Sequence, residues 1–362
     1  MLKSVERFIR RATIWIIAKL MGQSARGERP DWRDGSHRVL FLRHDRIGDM
    51  IVSTGILRAI AEAYPATLKL DVLASRVNAP VLKNESYINE VVVFDKKRVA
   101  GYLRAFREMR RRSYDAVIDC MVDAPSTTTL LLMLASGARY RIGVRRGNDF
   151  AYTLAVPPRE TADHIIDKLG ALVTAFGLQP TSLDLRPRVR LTVEELERGE
   201  RAWRGESEHA PKQGPRLLVN VSAGRAHHYW PDERFVAVLQ AVRQKVPNVE
   251  IVVVSSPSDR GRAAAIAAEG GARLVADEGI RDAMSIVARC DIVFTPDTSI
   301  SHAASAFGKP AVVMHPSGFA KIWGPYETDG RALESLTDSV GDITADEAAR
   351  SLLSRFASLS AR

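Results

Sequence analysis

Two doubly wound α/β domains, joined by a linker, are the fold that this sequence predicts, and three observations predict it. Its 362 residues exceed what one ordinary hydrophobic core organises. Short apolar, strand-like runs alternate with segments of helical period, and this alternation occurs twice. Between the two series lies a polar stretch with Ser, His, Pro, Lys, Gln and Gly and no apolar period. The predicted organisation is an N-terminal amphipathic helix and linker over 1–37, a first domain over 38–205, a linker over 206–215 and a second domain over 216–362. Two such domains are expected to face a central cleft, because ligands of open α/β sheets bind at the carboxyl ends of the strands.

The first element is a helix over 3–21, with Val5, Phe8, Ile9, Ala12, Trp15, Ile16 and Leu20 at helical spacing. Lys3, Arg7, Arg10, Arg11 and Lys19 make it basic, which suits the surface of an anionic membrane as a peripheral contact; packing on the protein itself or on a partner is the other reading. Its apolar run, Ile14 to Ala18, falls far short of the roughly 18 residues of a membrane span. A net charge of +9 favours anionic partners, and the lack of a nucleic-acid motif makes nucleic acid the weakest of them. Cys120 and Cys290 are widely separated, each in an apolar stretch; they read as buried thiols in a reducing cytoplasm.

In the first domain, strands are predicted at 39–42, 68–73, 91–94 and 115–119, with helices over 48–63, 99–112, 125–135, 161–177 and 192–205. The second alternation gives strands at 217–221, 251–254, 292–294 and 311–314 and helices over 231–245, 258–268, 281–289, 298–306 and 344–358.

Three strand-to-helix turns carry the chemistry. In Arg43-His44-Asp45-Arg46-Ile47-Gly48-Asp49, Gly48 allows a tight backbone, and Asp49 is either a helix cap or a catalytic carboxylate. In Thr295-Pro296-Asp297-Thr298-Ser299-Ile300-Ser301-His302, the first helical turn offers free N–H groups to a diphosphate. Asp297 is placed to cap that helix, Thr298, Ser299 and Ser301 to offer hydroxyls, and His302 to reach a phosphate oxygen. The turn from Ser222 to Pro231 collects Arg225, His227, His228, Tyr229 and Trp230 at the expected cleft edge, a set better suited to phosphate than to a metal, since adjacent histidines point apart and no third ligand is suitably spaced. Asp259, in a further strand-to-helix turn, starts a helix or accepts from a donor ribose. Neither half has the G-x-G-x-x-G fingerprint, which disfavours a dehydrogenase, and there is no P-loop.

Together the Gly48-Asp49 turn, Trp230-Pro231, and Pro296 to Ala304 followed by Gly308-Lys309-Pro310 resemble, in order and spacing, the heptosyltransferases of glycosyltransferase family nine over roughly residues 38–325. That resemblance implies a GT-B fold, a nucleotide-diphosphate sugar donor, ADP-heptose first among them, and no metal or other cofactor. It implies an inverting transfer onto a lipopolysaccharide-core or related anionic glycolipid or glycan acceptor, in the cytoplasm or at the cytoplasmic face of the inner membrane. Asp49 is then the general base, with Arg46 and Gly48 on the acceptor side. Ser222, Arg225, His228, Asp259, Asp297, Thr298, Ser299 and His302 form the donor side. His228 stands where members that transfer the first heptose carry Lys; a neutral imidazole stabilises a leaving diphosphate less than an ammonium does. A different nucleotide sugar, an epimerase, or a silent sugar-nucleotide-binding scaffold are the competing readings.

Overall fold

The computed structural model describes residues 29–122, 126–146, 149–205, 214–276 and 279–360, together with Ala12, Thr13, Ile16 and Gly27. The predicted helix over 3–21 lies outside the described residues but for three positions, as does most of the 206–215 linker. Among the described residues no helix is long and apolar enough to cross a membrane.

The chain divides into two compact units, one ending at Leu185 and the other beginning at Arg186. Each contains one six-stranded sheet in which every pairing is parallel. In the first unit the elements run β1 (His37–Arg43), α1 (Ile47–Ala63), β2 (Leu68–Ser75), β3 (Glu90–Phe94), α2 (Val99–Arg112), β4 (Ala116–Asp119), α3 (Thr127–Ala135), β5 (Tyr140–Val144), β6 (Leu154–Val156) and α4 (Ile165–Leu169). The sheet order is β3-β2-β1-β4-β5-β6, so the chain reverses its direction of travel between β1 and β4. α1 is buried from Met50 to Ala61, so apolar residues and glycine fill that stretch except at Ser53, Thr54 and Arg58, and no polar face is left to make it amphipathic. Trp32 closes the base of this unit: it is 2% exposed, stacks on Phe176 at 4.7 Å and donates from its indole to Ala175 O at 2.9 Å.

The second unit runs α5 (Val193–Arg204), β7 (Arg216–Asn220), α6 (Asp232–Lys245), β8 (Glu250–Val254), α7 (Arg260–Glu269), β9 (Arg273–Leu274), α8 (Ile280–Ala288), β10 (Ile292–Pro296), α9 (Ser299–Ala306), β11 (Ala311–His315), α10 (Ala320–Trp323), β12 (Arg331–Glu334) and α11 (Ala345–Ser360). Its order, β12-β11-β10-β7-β8-β9, repeats that of the first sheet and reverses between β7 and β10. The expected boundary after residue 205 comes too late. α5 belongs to the second unit, where the buried Arg281 pairs with Glu195, Trp203 donates to Ile286 O at 3.0 Å, and Gly199 lets α5 lie against α8. The helix predicted over 161–177 is a short α-helix continued by a 3₁₀ helix, Gly170–Phe176. Trp230, expected at the cleft edge with its loop, is instead a core residue, 1% exposed: it packs edge-on against Phe235 and Phe294 and donates to Ile343 O at 2.9 Å.

Candidate functional site

In the first unit a single guanidinium organises the turn after β1. Arg43 is 2% exposed, and its Nε donates to Asp49 O at 2.9 Å and to Ser53 Oγ at 2.8 Å. Its Nη1 donates to Cys120 O at 2.8 Å, across the point where the strand order reverses, and to Asp45 Oδ2 at 3.2 Å. Its Nη2 stands 3.8 Å from Asp49 Oδ1. Buried Asn78 holds the other side, donating to Arg43 O at 3.0 Å and Arg46 O at 3.4 Å while accepting from Ser75 N at 2.8 Å.

Asp49 does not cap its helix. Arg46 occupies the N-cap position without a side-chain cap bond, and Asp49 is the third helical residue. Its carboxylate is 18% exposed, reachable from solvent beside a buried cation. Gly48 does not have the left-handed backbone that a tight turn would need; it lies in the first turn of α1. Arg46 is exposed. Burial pushes the Asp45 carboxyl up to about 6, with Arg43 opposing and Asp49 adding to the rise. Burial, then Lys96, hold the His44 imidazole down at about 4. The buried Cys120 thiol is pushed up to about 12, so it stays protonated and serves the turn through its carbonyl.

In the second unit the loops after β7, β8, β10 and β11 gather at one edge of the sheet, because those four strands are neighbours and parallel. Asn220 ends β7 and is buried. Its Nδ2 donates to Thr295 Oγ1 at 2.9 Å, Thr298 Oγ1 at 3.2 Å and Ser222 O at 3.2 Å, and its Oδ1 accepts from Ser222 N at 3.2 Å.

Thr298, not Asp297, caps α9: its Oγ1 accepts from Ile300 N at 3.2 Å. The hydroxyls of Thr298 and Ser301 are therefore committed within the turn, the latter donating to Thr298 O at 2.7 Å, and they do not offer themselves to a ligand as expected. The helix start presents the backbone N–H groups that precede Ile300 and the half-buried Ser299 hydroxyl. Asp297, 14% exposed, lies between two buried histidines: Oδ1 is 4.0 Å from His302 Nε2, and Oδ2 is 3.9 Å from His315 Nδ1. The His302 ring centre is 5.7 Å from that of Trp323.

Of the loop after β7, Arg225 and His227 are exposed, whereas His228 is buried, 4.6 Å from the His227 ring and 6.1 Å from Phe319. Ser222 Oγ accepts from Ser256 N at 2.8 Å. Asp259 starts α7 but makes no side-chain cap bond. Its carboxylate accepts instead from Ser256 Oγ at 2.8 Å and from Tyr229 Oη at 3.1 Å, bracing two loops. Burial works to raise its pKa, yet the hydroxyls around it and Arg262 prevail and leave it lowered. Arg43 and Asn220 were read only as parts of a turn and a strand, and Asn78 and His315 were given no role. Their shared signal was available: a polar residue that closes or follows an otherwise apolar strand.

Two parallel sheets of the same strand order, each with a polar turn at its reversal point, define a GT-B type protein. The model of glycosyltransferase family 9 (heptosyltransferase) matches residues 102–339, well over half of the sequence, and the chain belongs to that family. It is a glycosyltransferase. It is similar to the lipopolysaccharide core heptosyltransferase OpsX of Haemophilus influenzae, 18% identical over 296 residues that span 79% of this chain and 81% of the relative. Among solved structures, a family 9 glycosyl transferase from Veillonella parvula superposes with a TM-score of 0.79 at 16% identity, over 91% of this chain and 99% of that one. The E. coli heptosyltransferase WaaC with ADP superposes with a TM-score of 0.71 at 14% identity, over 88% and 99%.

Proposed function

We propose that the protein transfers a heptose from ADP-heptose to a lipopolysaccharide-core or related cell-surface glycan, with inversion at the anomeric carbon and without a metal. The observation that carries this reading is the α9 start: backbone N–H groups at the reversal point of the second sheet, with the Asp297 carboxylate and His302 beside them. Backbone N–H groups and an imidazole donor are the groups there that suit a diphosphate. The names of the relatives and the ADP bound by WaaC support the donor class.

In this reading the diphosphate lies at the N–H groups of Thr298 and Ser299, with His302, Arg225 and His228 at its oxygens. The Asp259 carboxylate is shared between Tyr229 and a ribose hydroxyl. The acceptor is held on the first unit by the turn containing Arg46 and Gly48. Asp49 takes the proton of the acceptor hydroxyl as its oxygen attacks the anomeric carbon. The bond from that carbon to the diphosphate breaks on the opposite face, and its electron pair leaves on the phosphate oxygen. The helix start and its neighbours stabilise that charge.

The test is calorimetric titration with ADP, UDP, GDP and CMP, repeated on Asp297→Ala, followed by the anomeric configuration of the product by NMR. Preference for ADP, weakened by the substitution, and an inverted product are expected. Preference for UDP or GDP would replace heptose by another sugar, a reading that His228 in the place of Lys favours. Binding of none would leave a scaffold.

A further inference from the structure

The basic helix α2 divides into two halves. Near its end each guanidinium has a partner. Arg110 Nε donates to Ala135 O at 2.8 Å, Arg111 Nη2 to Glu108 at 2.7 Å, and Arg112 to Glu108 at 3.2 Å and to Glu90. The segment leading into the helix and its first turns differ. Lys96, Lys97, Arg104 and Arg107 are exposed, and among the described residues none of them forms an ion pair. Arg98 meets Asp95 only at 3.9 Å, with its side chain 81% exposed. No acidic residue occurs between positions 96 and 107.

This arrangement works against the helix that carries it. Cations at a helix N-terminus oppose the macrodipole, and Arg98 occupies the N-cap position without a side-chain cap bond. Val99 and Leu103, one turn apart on one face, are 79% and 52% exposed. The aromatic residues of the same helix turn inward: Tyr102 packs edge-on to Phe94 at 5.0 Å, and Phe106 lies against the core of the unit.

We infer that the face formed by Lys96, Lys97, Arg98, Val99, Leu103, Arg104 and Arg107 docks on an anionic lipid bilayer. Five cations match a surface of phosphate headgroups, and two aliphatic side chains among them enter its apolar boundary. A single-stranded nucleic acid would instead call for exposed aromatic rings on which bases stack, and the aromatic residues here are turned away. The face also lies near the turn that carries Asp49. Phe94 ends β3 with its ring 5.4 Å from His44, and Lys96 is near enough to lower the pKa of both His44 and Asp45. Docking there brings that turn to the lipid–water boundary. This consequence rests on the proposed glycolipid acceptor; the docking itself does not.

The test is flotation of the full-length protein with vesicles of phosphatidylcholine alone or mixed with phosphatidylglycerol. Binding confined to the anionic vesicles, and reduced by salt, is expected. Lys97→Glu/Arg104→Glu/Arg107→Glu should weaken it more than about 100-fold, since each cation contributes about a fivefold factor. Val99→Ser/Leu103→Ser should weaken it about tenfold. All five positions are exposed, so thermal unfolding shows that each variant is folded, and the charge reversals should not lower its midpoint. Unchanged vesicle binding by both variants overturns the inference and assigns the contact elsewhere, residues 3–21 included. Equal binding to neutral and anionic vesicles, no binding to either, or displacement from vesicles by single-stranded RNA at equal charge also overturns it.

Discussion

The side-chain amide of Asn220 donates to Thr298 Oγ1 at 3.2 Å, and this bond ties the end of β7 to the start of α9 across the reversal point of the second sheet. The same amide also holds Thr295 and Ser222, so one buried side chain fixes both loops around the proposed diphosphate position. Asn220→Leu removes the donor and leaves buried oxygens unmatched, at a cost of about 1–3 kcal/mol in stability. It should also raise the KM for donor about tenfold, because the helix start loses its register, while kcat changes less. Denaturant unfolding and steady-state kinetics measure the two effects. A loss of stability with donor KM unchanged would reduce Asn220 to a structural role.

Asp49 stands beside Arg43 but accepts no capping bond, so its removal leaves the start of α1 as it was. Asp49→Asn should lower kcat by about 10²–10⁴-fold, the usual contribution of a general base. Nucleotide affinity should stay within about twofold, as the diphosphate is assigned to the other unit. Transfer at near wild-type rate would reject Asp49 as the base, whatever the nucleotide titration showed.

Gly199 approaches the backbone of α8 so closely that an added Cβ would sit 2.2 Å from Ser285 O. Gly199→Ala therefore forces α5 and α8 apart, which should destabilise the protein by about 1–3 kcal/mol despite the better helix propensity of Ala. Since α8 packs on α9, nucleotide affinity should fall as well. Denaturant melts and calorimetry test this, and a stabilised variant would contradict the observed packing.

The parts of the fold legible in the sequence were those fixed by local pattern. α2 and the largely apolar α1 declare themselves by period and composition, and most of the buried central strands do so by short apolar runs. β5, β6, β9 and β12 were not legible: β6, β9 and β12 are short edge strands, and β5 opens with the half-buried Tyr140 and Arg141 rather than with an apolar run. The turn residues Asp49 and Asp297 stood out by chemistry. Their partners did not: Arg43 and His315 reach them from strands, and side-chain pairing across strands leaves no mark on spacing along the chain. The domain boundary was misplaced for the same reason. What assigns α5 to the second unit is the Glu195–Arg281 pair, 86 residues apart.

His44 and Asp45 are adjacent, both mostly buried, and shifted in opposite directions, which sets a pH signature. Asp45 titrates at about 6 when folded against 3.8 as an ordinary carboxyl, so between these values the folded state binds more protons than the unfolded one. Its contribution to stability is complete below about pH 4 and is lost as pH rises through 6. His44 titrates at about 4 when folded against 6.5, so the unfolded state binds more protons over that range, and its contribution grows as pH rises from 4 to 6.5. The two slopes oppose each other over almost the same window. Asp45→Asn should uncover the rising slope of His44 and stabilise the protein at pH 7 by an amount on the order of 1–3 kcal/mol, with the gain vanishing below about pH 4. His44→Gln should uncover the falling slope of Asp45 instead. Unfolding free energies of the wild type and both variants between pH 4 and 7 decide the matter, and parallel curves for all three would show that neither group is perturbed by its burial.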